Sequence, residues 1–190
     1  MTVPGTFDTS ARELIHAGLQ NLDEARSLFR QLSASGFDAA RCGLLLDALQ
    51  HVCDPDVALR NLVDIVNAQV SQGRALDDIM PDDTAFRQLV AVLGVSDAMG
   101  KLMRFRPDLV QAAATDHCNS HLYNHDQRRA HVLESVGADP NDRMSPTATM
   151  DLADAATALR RTYRNQLAAI IAQDTMSDDP IALQPRISSE

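Results

Sequence analysis

Helix-start signals followed by apolar residues at helical spacing recur along nearly the whole chain. A helix start is stabilised by a side-chain oxygen that accepts a hydrogen bond from the first turn, whose N–H groups have no partner within the helix. Proline at the first helical position leaves no such donor unpaired, and Pro55 and Pro146 both follow a candidate cap. Four candidate caps precede clear apolar stripes: Asn21, Asp54, Asp82 or Asp83, and Ser96. The sequence therefore predicts helices joined by turns.

The composition favours the same fold class. Hydrophobic residues make up 45% of the 190 residues, but aromatic residues make up only 4% and tryptophan is absent. A core rich in alanine and leucine suits helix-on-helix packing better than sheet packing. We predict an all-α fold, a bundle of about eight helices with a long C-terminal helix from about Ser145 to Asp174.

The long C-terminal helix carries an apolar stripe. Leu159, Tyr163, Leu167 and Ile170 are spaced by four, four and three residues, so they share one side of a helix. Leu152 and Ala156 continue the same side toward the N-terminus of the helix. We expect this stripe to pack on the preceding helices.

A basic group lies on the same helix. Arg160, Arg161 and Arg164 surround Tyr163 and form the densest positive patch in the chain. We expect Arg161 and Arg164 to point outward. A solvated helix face is the default interpretation, and the alternative is contact with an acidic partner or an adjoining domain. On that alternative the three arginines are the candidate partner-contact residues.

Breaks in the helical pattern divide the chain into three parts. We predict N-terminal helices over residues 1–35, a helical domain over residues 36–174, and a linker or truncated end over residues 175–190. The last part contains two prolines and no apolar stripe.

Charge and composition exclude several classes of function. A net charge of −9 argues against a nucleic-acid surface, which needs clustered Lys and Arg. Three cysteines without a Cys-x-x-Cys pair indicate neither a disulfide scaffold nor a zinc knuckle. No apolar run is long enough for a membrane span, and the first ten residues lack a signal-peptide pattern. We expect a cytoplasmic protein that binds no nucleic acid and no membrane.

The stretch LGVSDAMGKL, residues 93–102, raises the question of a phosphate-binding loop. Such a loop needs four residues between its two glycines, and then Lys followed by Ser or Thr. Here five residues separate Gly94 from Gly100, and Leu102 stands where the hydroxyl belongs. The preceding residues also have helical rather than strand spacing. We predict a turn between helices, with Ser96 as the cap of the second helix.

A histidine cluster is the candidate metal site. His117, His121 and His125 are four residues apart in DHCNSHLYNH, and two histidines at that spacing on a helix can bind Zn²⁺. The neighbouring Asn and Ser residues weaken a helix there. A solvated polar helix end or loop is the favoured interpretation, with metal binding and a pH-sensitive or contact role as alternatives. We assign no metal and no cofactor to this chain.

Paired carboxylates are the candidate catalytic groups, because nucleotide transfer uses two of them to hold Mg²⁺. Asp54 and Asp56 have the required Asp-x-Asp spacing but flank Pro55 at a predicted helix start. Negative charge at a helix start is favoured by the helix dipole alone. We interpret this pair as a helix cap and assign no catalytic residue.

Three motifs together resemble a known family. They are the helix start DPDVALRNLV, the turn LGVSDAMG leading to a helix that ends in RPD, and the long-helix pattern LRRTYRNQLAAIIAQD. Their types and order are similar to the N-terminal region of the bifunctional glutamine synthetase adenylyltransferases, and they cover roughly Gly36 to Asp174. The resemblance implies that Ser96 caps a helix after the turn. It also implies that Gly94 and Gly100 permit close approach of neighbouring segments. The histidine cluster and the residues after Pro180 match no motif of the family.

The resemblance implies an activity that lies outside this chain. The family transfers AMP from ATP to glutamine synthetase and removes it again, with magnesium, under nitrogen control through a PII-type signal protein. Its catalytic Gly-(Ser/Gly) and Asp-x-Asp motifs belong to an adjoining catalytic domain, and none occurs between Asp174 and Glu190. We therefore expect a non-catalytic helical segment that is inactive alone. The alternative is a free-standing helical interaction module without nucleotide chemistry.

Overall fold

The computed structural model describes residues 9–80, 82–114 and 125–176. All regular secondary structure in these ranges is α-helical, which confirms the predicted all-α class. Ten helices lie there rather than about eight, and two of them, α1 and α5, are very short. The helices are α1 (Ala11–His16), α2 (Leu22–Ala34), α3 (Ala39–Leu49), α4 (Pro55–Ser71), α5 (Leu76–Ile79), α6 (Asp83–Val95), α7 (Asp97–Met103), α8 (Pro107–Ala114), α9 (His125–Ser135) and α10 (Leu152–Met176).

The predicted helix caps are confirmed. A backbone N–H group three residues further on donates to each cap side chain, at 3.2 Å for Asn21, 3.0 Å for Asp54, 2.8 Å for Asp82 and 3.2 Å for Ser96. Pro55 occupies the start of α4, as predicted. These bonds join groups only three residues apart, so the local sequence is sufficient to specify them.

The main core is built around the contact between α4 and α6. Leu59 and Leu62 of α4 and Leu89 and Leu93 of α6 are fully buried. Burying a leucine contributes about 1.5–3 kcal/mol, so this contact provides much of the hydrophobic stabilisation. The helices α2, α3, α7 and α8 pack around the pair.

A second, smaller core is separate from the main one. Val136, Ala138 and Ala155 are buried together beside the end of α9 and the beginning of α10. The C-terminal half of α10 instead joins the main core, where Ala168 and Ala172 are fully buried. The long helix therefore links the two cores.

The long helix begins later than predicted. It starts at Leu152 rather than near Ser145, and Pro146 is not helical. Asp151 caps it by accepting a hydrogen bond of 2.9 Å from the N–H group of Asp154. The preceding loop is held by other bonds, since Thr149 donates its N–H group to the carbonyl of Val136 at 3.2 Å. A helix beginning at Ser145 would break this connection to α9.

The predicted buried stripe on the long helix is wrong in its N-terminal half. Leu159 is 41% exposed and Tyr163 is 65% exposed, although Leu167 packs against the main core. Small side chains are buried instead: Ala155, Thr162, Ala168 and Ala172. Ala155 and Thr162 share one side of the helix, and Ala168 and Ala172 share another that lies about 120° further round. At Ala168 and Ala172 the small side chains allow α6 and α8 to approach closely. Among the described helices, none is long and apolar enough to cross a membrane.

Candidate functional site

The three candidate partner-contact arginines lie together beside a groove. Arg160, Arg161 and Arg164 project from the middle of α10 toward the beginning of α8. The groove between the two helices has a volume of about 630 Å³. Its walls are formed by Arg106, Pro107, Asp108, Thr157, Arg160, Arg161 and Arg164. We call this the arginine groove.

Among the described residues, Asp108 is the one acidic residue that lines the arginine groove. Arg106 donates to both of its carboxylate oxygens, from Nε at 2.9 Å and from a terminal nitrogen at 2.7 Å. Arg161 donates from Nε to Oδ2 of Asp108 at 3.0 Å, which connects α10 to α8. Such forked bonds to a carboxylate are stronger than neutral hydrogen bonds.

These bonds perturb the protonation of the pair. The hydrogen bonds from Arg106 are the main cause that lowers the pKa of Asp108 from 3.8 to about 2, with Arg161 as a further cause. The same hydrogen bond raises the pKa of Arg106. The carboxyl group of Asp108 is therefore fully ionised at neutral pH.

The arginine groove keeps an excess of positive charge. Four arginines against one aspartate leave a net charge of +3 among its lining residues. Among the described residues, neither Arg160 nor Arg164 makes an ion pair. The two are four residues apart, so their guanidinium groups lie near each other on one side of α10. This arrangement can hold carboxylates or another anion.

Sequence reasoning identified only half of this site. It singled out Arg160, Arg161 and Arg164, but missed Arg106 and Asp108. The only local signal was the RPD sequence, which the family resemblance includes without a role. The sequence predicts that RPD ends a helix, but α7 ends at Met103 and Pro107 and Asp108 begin α8. The bond between Arg161 and Asp108 spans 53 positions in the chain, so no local pattern could predict it.

The stretch LGVSDAMGKL forms a turn between α6 and α7, as predicted. A Cβ atom on Gly94 would lie 2.8 Å from Cβ of Val52, and one on Gly100 would lie 2.8 Å from Cβ of Asn61. Both distances are too short for a real side chain. The close approach expected from the family resemblance is therefore confirmed, and the glycines serve helix packing.

The paired carboxylates have structural contacts. Asp54 caps α4, as predicted, and Asp56 accepts hydrogen bonds from the N–H groups of Gln20 at 3.0 Å and Asn21 at 3.3 Å. The Asp-x-Asp pair therefore fixes the start of α4 and joins it to the start of α2.

The metal hypothesis falls largely outside the described residues. His117 and His121 lie in the undescribed segment, and His125 is the first residue of α9. Within the described ranges, no three His, Cys, Asp or Glu side chains form a group that could hold a metal ion. The favoured interpretation of the cluster, a solvated polar helix end or loop, stays a prediction, and zinc binding stays its alternative.

Known proteins match the chain over most of its length. A bifunctional glutamine synthetase adenylyltransferase/adenylyl-removing enzyme of Bifidobacterium longum (strain DJO10A) is 61% identical over 184 residues, which cover 97% of this chain and 17% of that protein. The enzyme of Bifidobacterium longum subsp. infantis is 60% identical over 184 residues, with the same shares. The enzyme of Corynebacterium efficiens is 33% identical over 168 residues, which cover 72% of this chain and 15% of that protein.

No protein-family model and no solved structure matches the chain significantly. The chain spans 17% of the length of the Bifidobacterium enzymes that it matches. Because the identity of 61% extends over 97% of the chain, the resemblance carried by its three motifs is confirmed. The chain belongs, over the part that it spans, to the family of bifunctional glutamine synthetase adenylyltransferase/adenylyl-removing enzymes.

Proposed function

We propose that this chain is a non-catalytic helical segment from the N-terminal region of a glutamine synthetase adenylyltransferase. It positions the adjoining catalytic domain or the protein substrate. The observation that carries the proposal is the identity of 61% to an enzyme of which the chain matches only 17%. The fold suits such a role, since α10 has 25 residues, is about 37 Å long and contributes side chains to both cores.

The contacts of the carboxylates support the non-catalytic assignment. Transfer of AMP from ATP uses paired carboxylates that hold Mg²⁺ against the phosphates. In this chain Asp54 and Asp56 hold backbone N–H groups, and Asp108 is held by two arginines. The described Asp-x-Asp pair thus has a structural role at the start of α4.

The full-length protein supplies the remaining chemistry in this proposal. ATP and magnesium bind to the catalytic part, and glutamine synthetase is the protein that receives and loses AMP. A PII-type signal protein controls the reaction in response to nitrogen supply. The compartment of this reaction is the cytoplasm.

The first experiment tests the chain by itself. The purified chain is incubated with labelled ATP, Mg²⁺ and glutamine synthetase, and the label on the synthetase is measured. We expect no more label than in a control without the chain. Label above that control would contradict the non-catalytic assignment.

The second experiment tests the positioning role. The segment that matches this chain is deleted from the Bifidobacterium longum enzyme, and AMP transfer and removal are measured with and without added chain. We expect the deletion to lower kcat/KM for at least one reaction, and the added chain to restore part of it. Unchanged rates would favour the alternative, a free-standing helical interaction module.

A further inference from the structure

An apolar stripe lies on the N-terminal half of α10, and its three large side chains are exposed. Leu152, Ala156, Leu159 and Tyr163 are spaced by four, three and four residues, so they form one continuous line along the helix. Leu152 is 88% exposed, Leu159 is 41% exposed and Tyr163 is 65% exposed. A contiguous line of large apolar side chains on a surface indicates an interaction site more often than isolated ones do.

The arginine groove runs alongside this stripe. Arg160 and Arg164 stand between the stripe and the groove, because each follows a stripe residue directly in the helix sequence. We call the stripe and these two arginines the docking face. Tyrosine and arginine are enriched among the side chains that dominate binding at protein interfaces, whereas lysine and glutamate are depleted at interfaces.

The charge of the docking face is opposite to that of the molecule. The chain as a whole carries −9, while the residues lining the arginine groove carry a net +3. A positive region on an acidic protein attracts acidic partners and orients them as they approach. A free phosphate would use only the arginines and leave the apolar stripe in water, so it does not match the whole face.

We propose that the docking face binds an acidic amphipathic helix of the protein that this segment positions. Apolar side chains of the partner helix pack on Leu152, Leu159 and Tyr163, and its carboxylates pair with Arg160 and Arg164. Helices that lie along an apolar groove commonly use such a line of anchors. The identity of the partner rests on the proposed function. The binding chemistry does not, because it follows from the side chains of the docking face.

The test uses the whole chain and a designed helical peptide. The labelled peptide has about 18 residues, with leucines at positions i, i+4, i+7 and i+11 and glutamates along one flank. Two control peptides carry lysines in place of the glutamates or serines in place of the leucines. Fluorescence anisotropy gives Kd at two salt concentrations, with inorganic phosphate and ATP as competitors.

Two variants separate the docking face from total charge. R160E/R164E reverses the two arginines that make no ion pair with the described residues, and R12E/R74E makes the same charge change at exposed residues elsewhere. We expect R160E/R164E to weaken binding of the acidic peptide by about tenfold, since two attractions become repulsions. R12E/R74E should change Kd less than threefold. The lysine peptide should bind R160E/R164E more tightly than it binds the unmodified chain.

A third variant should bind the acidic peptide more tightly than the unmodified chain does. A misfolded protein would bind it more weakly, so tighter binding cannot result from misfolding. D108N removes the acidic side chain that lines the groove and thereby frees Arg106 and Arg161. We expect its Kd for the acidic peptide to fall severalfold. Circular dichroism confirms that each variant is folded.

The outcomes separate this proposal from its rivals. Tight binding that depends on glutamates, leucines and the two arginines supports it. It is overturned if the acidic peptide does not bind, if R160E/R164E binds it normally, or if phosphate alone displaces it and the serine peptide binds equally well. The deletion experiment on the Bifidobacterium longum enzyme is independent, so either result can fail without the other.

Discussion

Gly100 allows α7 to approach α4 at the point where Asn61 is buried. Asn61 is 5% exposed, and its amide donates to the carbonyl of Leu93 at 3.4 Å. The backbone of Gly100 fills the space beside it, so that a side chain there would meet Cβ of Asn61. Cβ of Asn61 cannot move without moving α4. This position in α7 therefore requires a residue without a side chain.

We expect Gly100→Ala to destabilise the chain by roughly 1–3 kcal/mol, because an added methyl group has no space beside Asn61. The matched control is Gly43→Ala in α3, where an added Cβ would meet no atom within 4 Å. That change should be neutral or stabilise by up to about 1 kcal/mol, since alanine favours helices. Urea denaturation of both variants measures the difference. Equal midpoints would show that α7 can shift away from α4.

Asp108 should make stability depend on pH in the acid range. Its pKa is lowered from 3.8 to about 2, so its contribution is present above about pH 4 and is lost as pH falls toward 2. Asp108→Asn should therefore be less stable than the unmodified chain by roughly 1–2 kcal/mol at pH 7, a value reduced for partial solvent exposure. The difference in the free energy of unfolding between Asp108→Asn and the unmodified chain should decrease as the pH falls from 5 to 2.

The control for this change is Asp154→Asn, which removes an exposed carboxylate from the first turn of α10. Chemical denaturation of the three proteins across the pH range gives the comparison. A gap between Asp108→Asn and the unmodified chain that stays constant down to pH 2 would contradict the assigned ion pairs.

At the scale of the helices, α10 packs through its small side chains. Ala168 and Ala172 are fully buried, while Leu159 and Tyr163 are exposed. Small residues let α10 lie close to α6 and α8, and the close approach is maintained by dispersion contacts along the helices. The larger residues are left free for contacts with another molecule.

We expect Ala168→Leu to destabilise the chain by about 1–3 kcal/mol, because the added atoms must separate α10 from the main core. The same change at exposed Ala153 of the same helix should alter stability by less than about 0.5 kcal/mol. Thermal denaturation followed by circular dichroism compares the two. If both variants melt together, the packed side of α10 is not the one described.

At the scale of the whole molecule, the two cores differ in size. The main core contains most of the buried leucines, whereas the small core consists of Val136, Ala138 and Ala155 with Leu133 and Ala158 beside them. The small core therefore buries much less apolar surface. Its main connection to the rest of the molecule is α10.

We expect α9 to open more often than the centre of the molecule. In hydrogen exchange measured by mass spectrometry, amides of α9 should exchange at least tenfold faster than those of α4 and α6, because local opening exposes little apolar surface. Amides in the C-terminal half of α10 should behave like α6. Equal protection of α9 and α4 would show that the two cores unfold as one unit.

The sequence predicted the parts of the fold that depend on near neighbours. Asn21, Asp54, Asp82 and Ser96 were identified as caps because each oxygen and the N–H group that it accepts from are three residues apart. The loop before α10 was missed, since Thr149 is held by the carbonyl of Val136, 13 positions earlier. Ser145 and Pro146 have the pattern of a helix start, but the bond from Thr149 holds this stretch in a loop.

The candidate site shows the same division. The sequence located Arg160, Arg161 and Arg164 because they are adjacent on one helix. It could not supply Arg106 and Asp108, which the fold brings to them from another helix. The exposure of Leu159 and Tyr163 was also beyond prediction, because two sides of α10 have helical periodicity and either could have been buried.

The sequence by itself determined the all-α class and the starts of α2, α4, α6 and α7. Through its motifs it also determined the family and the close approach at Gly94 and Gly100. Hydrophobic periodicity and helix caps depend on residues three or four positions apart, so the local sequence is sufficient to predict them. Only the tertiary structure decided which side of α10 is buried and which residues line the arginine groove. Which side of α10 is buried depends on the shapes of α6 and α8, with which it is in contact. Because these helices pack closely, the side of α10 with the smaller residues is buried against them.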